Sequence, residues 1–174
     1  MKEPENKRRV LKERAQALAR ERVAKGSEAA VEIVEFSLAS ERYGIETGFV
    51  REVLVLKELT PVPCTPAFIA GIVNVRGRMV TAVDLRHFFD LPAQGLHDLH
   101  KVIVLRAEEL ELGILADDVI CVRSVPVGQL QATLPTLTGI RAEYLKGVTG
   151  ERLTVLDAGK LLADTKLIVN EEVV

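Results

Sequence analysis

Few side chains in this chain could make or break a covalent bond. Asp84 and Asp157 are the carboxylates that invite an acid–base pairing. Each follows an apolar run and precedes a helical turn, where a carboxylate accepts the orphan N–H groups of the helix start. They are also equivalent positions of a repeat described below, so one structural role, capping, accounts for both. His97, Asp98 and His100 look like a fragment of a metal site, but they sit in a polar connector without a third ligand at a familiar spacing. They read as a solvated loop, and His87 as a partly exposed helix residue. Cys64 and Cys121 lie far apart, in no metal or redox spacing and with no nearby histidine; they read as buried thiols of a reducing cytoplasm. No G-x-S-x-G element, P-loop or dinucleotide fingerprint is present. The expectation is no catalytic residue, no metal and no cofactor.

Arg76 and Arg78 stand apart from this set. Arg76-Gly77-Arg78 joins two strongly apolar runs, Ile72–Val75 and Met79–Val83, as a tight turn. Composition leaves two readings of Arg76 open. It is an exposed turn arginine, or a guanidinium presented at a rim for a partner's carboxylates or carbonyls.

The elements that must position these residues are mostly strands. Val31, Ile33 and Phe36, with Val34, follow the pattern of a half-buried strand, Ser40-Glu41-Arg42 turns, and Tyr43-Gly44-Ile45 opens a second strand. Phe49, Val50, Val53 and Leu54 recur at helical spacing. Thr65-Pro66 looks like a helix N-cap with proline in the first turn, and Gly71 like its stop. Asp84 opens a short helix carrying Phe88 and Phe89. Ahead of all this, residues 7–25 are dense in Ala, Leu, Arg, Lys and Glu and read as a helix, broken at Gly26-Ser27. Its apolar stripe (Leu11, Ala15, Leu18, Val23) is thin, which suits either a solvated helix or a short docking helix.

Hydrophobic residues make up 48% of the 174, enough for a core, while aromatics are 4% and tryptophan is absent. Val, Leu and Ile must supply most of the buried area. No apolar run reaches the length of a membrane span, and the charged N-terminus lacks a signal-peptide stretch. Residues 1–25 hold nine Lys/Arg against four Glu, whereas the remainder holds fourteen basic and twenty-one acidic residues. An acidic body argues against a nucleic-acid face there. A nucleic-acid module would have to use the basic N-terminal helix.

The second half repeats the first. Val102, Ile103 and Leu105 match Ile33, Val34 and Phe36 at an offset of 69, and Leu112-Gly113-Ile114 matches Tyr43-Gly44-Ile45 at the same offset. Val119 and Val122 match Val50 and Val53, again at 69. Phe68 to Ile72 match Tyr144 to Val148 at 76, pairing Gly71 with Gly147, and Asp84 with Phe88-Phe89 matches Asp157 with Leu161-Leu162 at 73. One unit of about five short strands used twice predicts an all-β chain of two small barrels, since closing a short sheet removes its edges. The divisions are an N-terminal extension over 1–30, a first barrel repeat over 31–92 and a second over 93–174. Whether a barrel borrows a strand from the other half is open.

The run Thr65–Arg86 resembles the core signature of CheW-like chemotaxis coupling proteins: a proline-headed turn, Gly71, an apolar pair, Asn74, an aliphatic, Arg76-Gly77, a second strand and Asp84-Leu85-Arg86. Tyr43-Gly44-Ile45 followed by Val50-Arg51-Glu52-Val53 is similar to the family's earlier block, and the likeness covers about residues 31–165. Thr81 and Ala82 depart from the pattern, which more often has proline and a larger aliphatic. The resemblance implies two five-stranded SH3-like barrels with short helices and a hydrophobic groove between them. It implies a non-enzymatic cytoplasmic adaptor, monomeric in isolation, that binds a chemoreceptor tip and the regulatory domain of a CheA-type histidine kinase. By position, Arg76 matches the family's partner-binding arginine, with Arg78 beside it. Val50 and Glu52 fall in the receptor-contacting segment, and Gly71 and Gly77 match structural glycines.

Because the repeat begins at about Val31, deletion of residues 1–30 should change the melting temperature by no more than a few degrees in a thermal denaturation followed by circular dichroism. A collapse of the cooperative transition would show that Leu11, Leu18 and Val23 belong to the core.

Overall fold

Strand signals dominate, and a computed structural model, which describes residues 29–91, 99–132 and 140–167, consists mainly of strands. The first half contributes β1 (Ala30–Leu38), β2 (Glu41–Glu46), β3 (Val50–Val55), β4 (Ile69–Val75), β5 (Arg78–Val83) and the one-turn helix α1 (Leu85–Phe88). The second contributes β6 (Lys101–Ala107), β7 (Leu110–Ala116), β8 (Asp118–Pro126), α2 (Ile140–Glu143), β9 (Leu145–Val148), β10 (Leu153–Leu156) and α3 (Ala158–Ala163). The N-terminal helix expected over 7–25 lies outside the described residues.

Two readings of element type change. The Val50–Val55 segment is a strand, not a helix, with Val50, Glu52 and Leu54 turned inward and Arg51, Val53 and Val55 outward. Short apolar runs fit both periods; here the free edge of β6 and a valine-rich segment decide for the sheet. Thr65–Gly71 is a turn and then strand: the Thr65 hydroxyl donates to the Val62 carbonyl, and Ile69 N–H to the Pro66 carbonyl. Gly71 does not end a helix. It lies within β4 at φ +150°, and a Cβ there would stand 2.3 Å from the Thr60 carbonyl oxygen, so the close approach of residue 60 requires glycine.

The ten strands form two five-stranded sheets, ordered β8-β1-β2-β10-β9 and β3-β6-β7-β5-β4. Replacing each strand by its repeat equivalent turns the first order into the second. The repeat is therefore real in three dimensions, but its boundary is not the sheet boundary. The sequence left open whether a barrel borrows strands from the other half; in the structure each sheet takes a hairpin from one half and three strands from the other. Chain connectivity explains this. The outer strand beside β1 runs antiparallel to it, hence parallel to β2. A parallel neighbour needs a crossover of about a dozen residues or more. Only Thr47–Phe49, a 3₁₀ turn, separates β2 from β3, and only Asp117 separates β7 from β8. Each outgoing strand must cross to the other sheet, where β3 pairs antiparallel with β6 and β8 with β1.

The main core lies between the sheets. Phe36, Leu38, Tyr43 and Ile45 of the first face Ile103, Leu105, Leu112 and Ile114 of the second. Six of the seven aromatic rings form a chain of contacts through this layer, from Phe36 and Tyr43 across Phe89 and Phe88 to Tyr144 and Phe68. Smaller clusters fill each sheet's concave side: Val73, Val80, Val102 and Leu115 in one, Ile33, Val125, Leu153 and Val155 in the other.

Interleaving has a direct consequence for fragments. Residues 29–95 and 96–174 made separately should each give the circular dichroism of a largely unfolded chain, because each lacks partners for its strands. Mixing the two should restore the β signal. A folded, cooperative isolated half would overturn the exchanged topology.

Candidate partner-binding surface

The β4–β5 hairpin presents Arg76 at its tip. Arg76 and Gly77 both have positive φ, 51° and 86°, the primed turn that suits a two-residue hairpin, and the Gly77 N–H donates to the Asn74 side-chain oxygen at 2.8 Å. A left-handed arginine is held there by its neighbours. Its side chain is 79% exposed, yet its Nε stands 3.0 Å from Oε2 of Glu52, which is mostly buried on β3. The N–H does not point at that oxygen, which receives no hydrogen bond among the described residues. Charge holds Arg76 over Glu52 without locking the guanidinium, which keeps donors for another acceptor.

Three further groups complete an ionic cluster. Arg51 Nε and Arg78 Nη2 lie 3.9 and 4.0 Å from Glu52 Oε1, and Arg51 and Arg78 both hydrogen-bond to Glu111 on β7. Three guanidinium groups meet two carboxylates, so the patch carries net positive charge. Burial works against ionisation of Glu111, but the hydrogen bonds from Arg78 and Arg51 outweigh it and hold its carboxyl below the ordinary carboxylate range. Val50, two residues from Glu52, is half-buried against the main core. With Gly48, Phe49, Arg51, Arg106 and Glu108 it lines a shallow depression of about 430 Å³. The four residues singled out in sequence for partner binding thus lie on one strand and one hairpin of one sheet. Arg51 and Glu111 escaped the sequence reading. The alternation of β3 was the signal for Arg51, whereas Glu111 depends on pairing between distant strands.

The other singled-out residues lie elsewhere. Asp84 caps α1: its carboxylate accepts from the Arg86 N–H at 2.9 Å and from the Arg86 guanidinium. Asp157 caps α3, accepting from the Lys160 N–H at 3.1 Å. Gly147 on β9 passes so close to Leu130 that a Cβ would stand 2.9 Å from the leucine Cβ. His87 is exposed, with Nε2 3.8 Å from Asp84. His97 and Asp98 lie outside the described residues; His100 is exposed beside β6. Among the described residues no three His, Cys, Asp or Glu side chains group as a metal site. The cysteines correct the sequence reading: both are free and exposed. Cys121 is on the edge strand β8, and Cys64 has φ 63° in a proline-flanked loop.

The family model of the CheW-like domain matches residues 32–166. The chain belongs to the CheW-like family. Within that family it is similar to the chemotaxis protein CheW of Treponema pallidum, with 33% identity over 143 residues, 78% of this chain and 84% of that protein. The CheW of Klebsiella aerogenes is 32% identical over 145 residues, 82% of this chain and 87% of that one. Among solved structures, that of the scaffolding protein TtCheW from Thermoanaerobacter tengcongensis superposes with a TM-score of 0.65 at 28% identity, covering 74% of this chain and 84% of that one. The two five-stranded sheets are the SH3-like pair of the CheW-like fold. No helix among the described residues is long and apolar enough to cross a membrane.

The Glu111 contacts give a pH signature. A carboxylate with a depressed folded pKa stabilises the folded chain above its unfolded pKa and loses that contribution as pH falls through the folded value. A carboxyl NMR titration should find Glu111 titrating below ordinary glutamates, and Arg78→Ala should move it back up. An unchanged Glu111 titration in that variant would remove Arg78 from the cluster.

Proposed function

We propose that this CheW-like chain is a non-enzymatic adaptor that couples the cytoplasmic tip of a chemoreceptor to the regulatory domain of a CheA-type histidine kinase. The observation that carries the reading is the arginine-rich cluster around Glu52, set on strands whose linked signature runs through the whole family match. Its exposed guanidinium, held by charge alone, suits charge-assisted hydrogen bonds to a partner's carboxylates or carbonyls. The depression beside it, with Val50 and Phe49 in its lining, suits apolar side chains of a helical receptor tip. The carboxylates that might have served catalysis, Asp84 and Asp157, are engaged in capping. Such an adaptor works in the cytoplasm, beside receptor arrays, and is a monomer when isolated.

The test separates affinity from stability on the same variants. Arg76→Ala should weaken binding to the kinase regulatory domain or to a soluble receptor fragment by about 1–3 kcal/mol, the cost of losing an interface anchor. Its melting temperature should stay that of the wild type, because the side chain is solvent-exposed. Val50 packs on the core, so the matching change is the near-isosteric Val50→Thr, which should weaken receptor binding by about 1 kcal/mol through a desolvated hydroxyl. Wild-type affinity of both variants for both partners would sink the site. Failure of any CheA-type kinase to co-purify from native extract would sink the function.

A further inference from the structure

The depression beside Val50 has a counterpart in the other half of the chain, and there the place is filled. At the offset of 69, Gly48 matches Asp117, Arg106 matches Ser37 and Glu108 matches Ala39. Strand pairing keeps these positions equivalent in space. Val50 pairs with Leu105 as Val119 pairs with Phe36, and Ala107 pairs with Leu110 as Leu38 pairs with Glu41. The hairpin turns match in backbone too, with φ of 51° at Ala39 and 54° at Glu108. Asp117 closes the crossover from β7 to β8. Its N–H donates to the Ser37 carbonyl at 3.0 Å, and its carboxylate Oδ2 accepts the Ala39 N–H at 2.8 Å. Gly48 has no side chain with which to do the same. Among the described residues neither equivalent bond forms, so the Glu108 N–H keeps its donor capacity. A Cβ on Gly48 would meet nothing within 4 Å, so the space that Asp117 takes in one half stands open in the other.

We infer that this depression is a pocket for a partner's carboxylate. An Asp or Glu side chain of a helical receptor tip enters where the other half places its own Asp117, accepts the Glu108 N–H and pairs with Arg106. The inference rests on the receptor-coupling reading and specifies the chemistry of one contact. Charge on the pocket selects this occupant. The Arg106 Nε donates to the Glu108 carbonyl at 3.0 Å, and its remaining donors meet no carboxylate among the described residues. Arg51, also in the lining, is shared with Glu111. The exposed Glu108 side chain is the acidic member of the lining and works against an incoming carboxylate. An apolar side chain seated here would cover the Glu108 N–H without satisfying it, and a cation would meet Arg106. A carboxylate satisfies both donors, as Asp117 satisfies the Ala39 N–H in the sister crossover.

Calorimetric titration of the full chain with a soluble receptor fragment tests the contact. Arg106→Ala should weaken binding about tenfold, the loss of a charge-assisted hydrogen bond. Glu108→Gln removes the opposing charge and should strengthen binding about threefold. Gly48→Asp supplies the carboxylate from within. It should weaken binding about tenfold, and its Glu108 amide resonance should move downfield with no partner present. An apolar occupant would also be displaced by Gly48→Asp but would not respond to the other two changes. Wild-type affinity of both Arg106→Ala and Glu108→Gln therefore overturns the inference, while a loss in Arg76→Ala would keep the receptor reading. Acetate is the partner-free probe. Titrated against chloride at constant ionic strength, it should shift the Glu108 amide of the wild type and leave that of Gly48→Asp in place. A wild-type chain that does not bind the fragment sinks the receptor reading; a wild-type Glu108 amide that ignores acetate sinks the pocket.

Discussion

Three residues separate β2 from β3, and one separates β7 from β8. Connections that short cannot carry a strand to a parallel position in its own sheet. Everything else in the architecture follows from this. Each half surrenders its last three strands to the other half's hairpin, the two sheets become inseparable, and the largest hydrophobic layer forms between them. Parallel pairs β2–β10 and β5–β7 are possible because their partners arrive from the opposite half, with long stretches of chain as the crossover. The pairing that protects each sheet is therefore non-local.

The ionic cluster inherits the same logic. Glu52 and Arg51 come from β3, Arg76 and Arg78 from the β4–β5 hairpin, and Glu111 from β7 of the other half. The first sheet carries a related set with exchanged signs. Arg42 stands at the repeat position of Glu111, and Glu151 at that of Arg78. There Arg42 and Arg123 neutralise Glu35, a carboxylate only 2% exposed, and Arg123 also reaches Glu151. A buried carboxylate with two guanidinium partners is a structural unit, since removing either partner leaves charge in a desolvated place. The second-sheet cluster is more open and has a surplus arginine at its tip. That difference in exposure, more than residue type, separates a patch that holds a sheet together from one suited to a partner.

Local chemistry wrote part of this into the sequence. The β1–β2 and β4–β5 hairpins show in alternating apolar residues and in turn residues at fixed offsets. The starts of α1 and α3 show in an aspartate placed where backbone N–H groups lack partners. Val50–Val55 was ambiguous because a short apolar run satisfies a helical and an extended period alike; the edge of β6 resolved it. Thr65-Pro66 imitates a helix start, but Gly71 is needed for close approach to residue 60 and not as a stop. Burial of the cysteines was likewise misjudged, since composition gives no sign that β8 is an edge.

What the sequence determined by itself was the repeat unit, the all-β class, the turns and caps, and the family signature around Arg76, because each depends on residues close together in the chain. Tertiary structure alone decided which half's strands share a sheet, that Arg51 and Glu111 join Arg76, and which apolar side chains remain exposed. Those outcomes depend on strand pairing between segments tens of residues apart. Such pairing is set by connection length and free edges, quantities that the identity of the residues does not record.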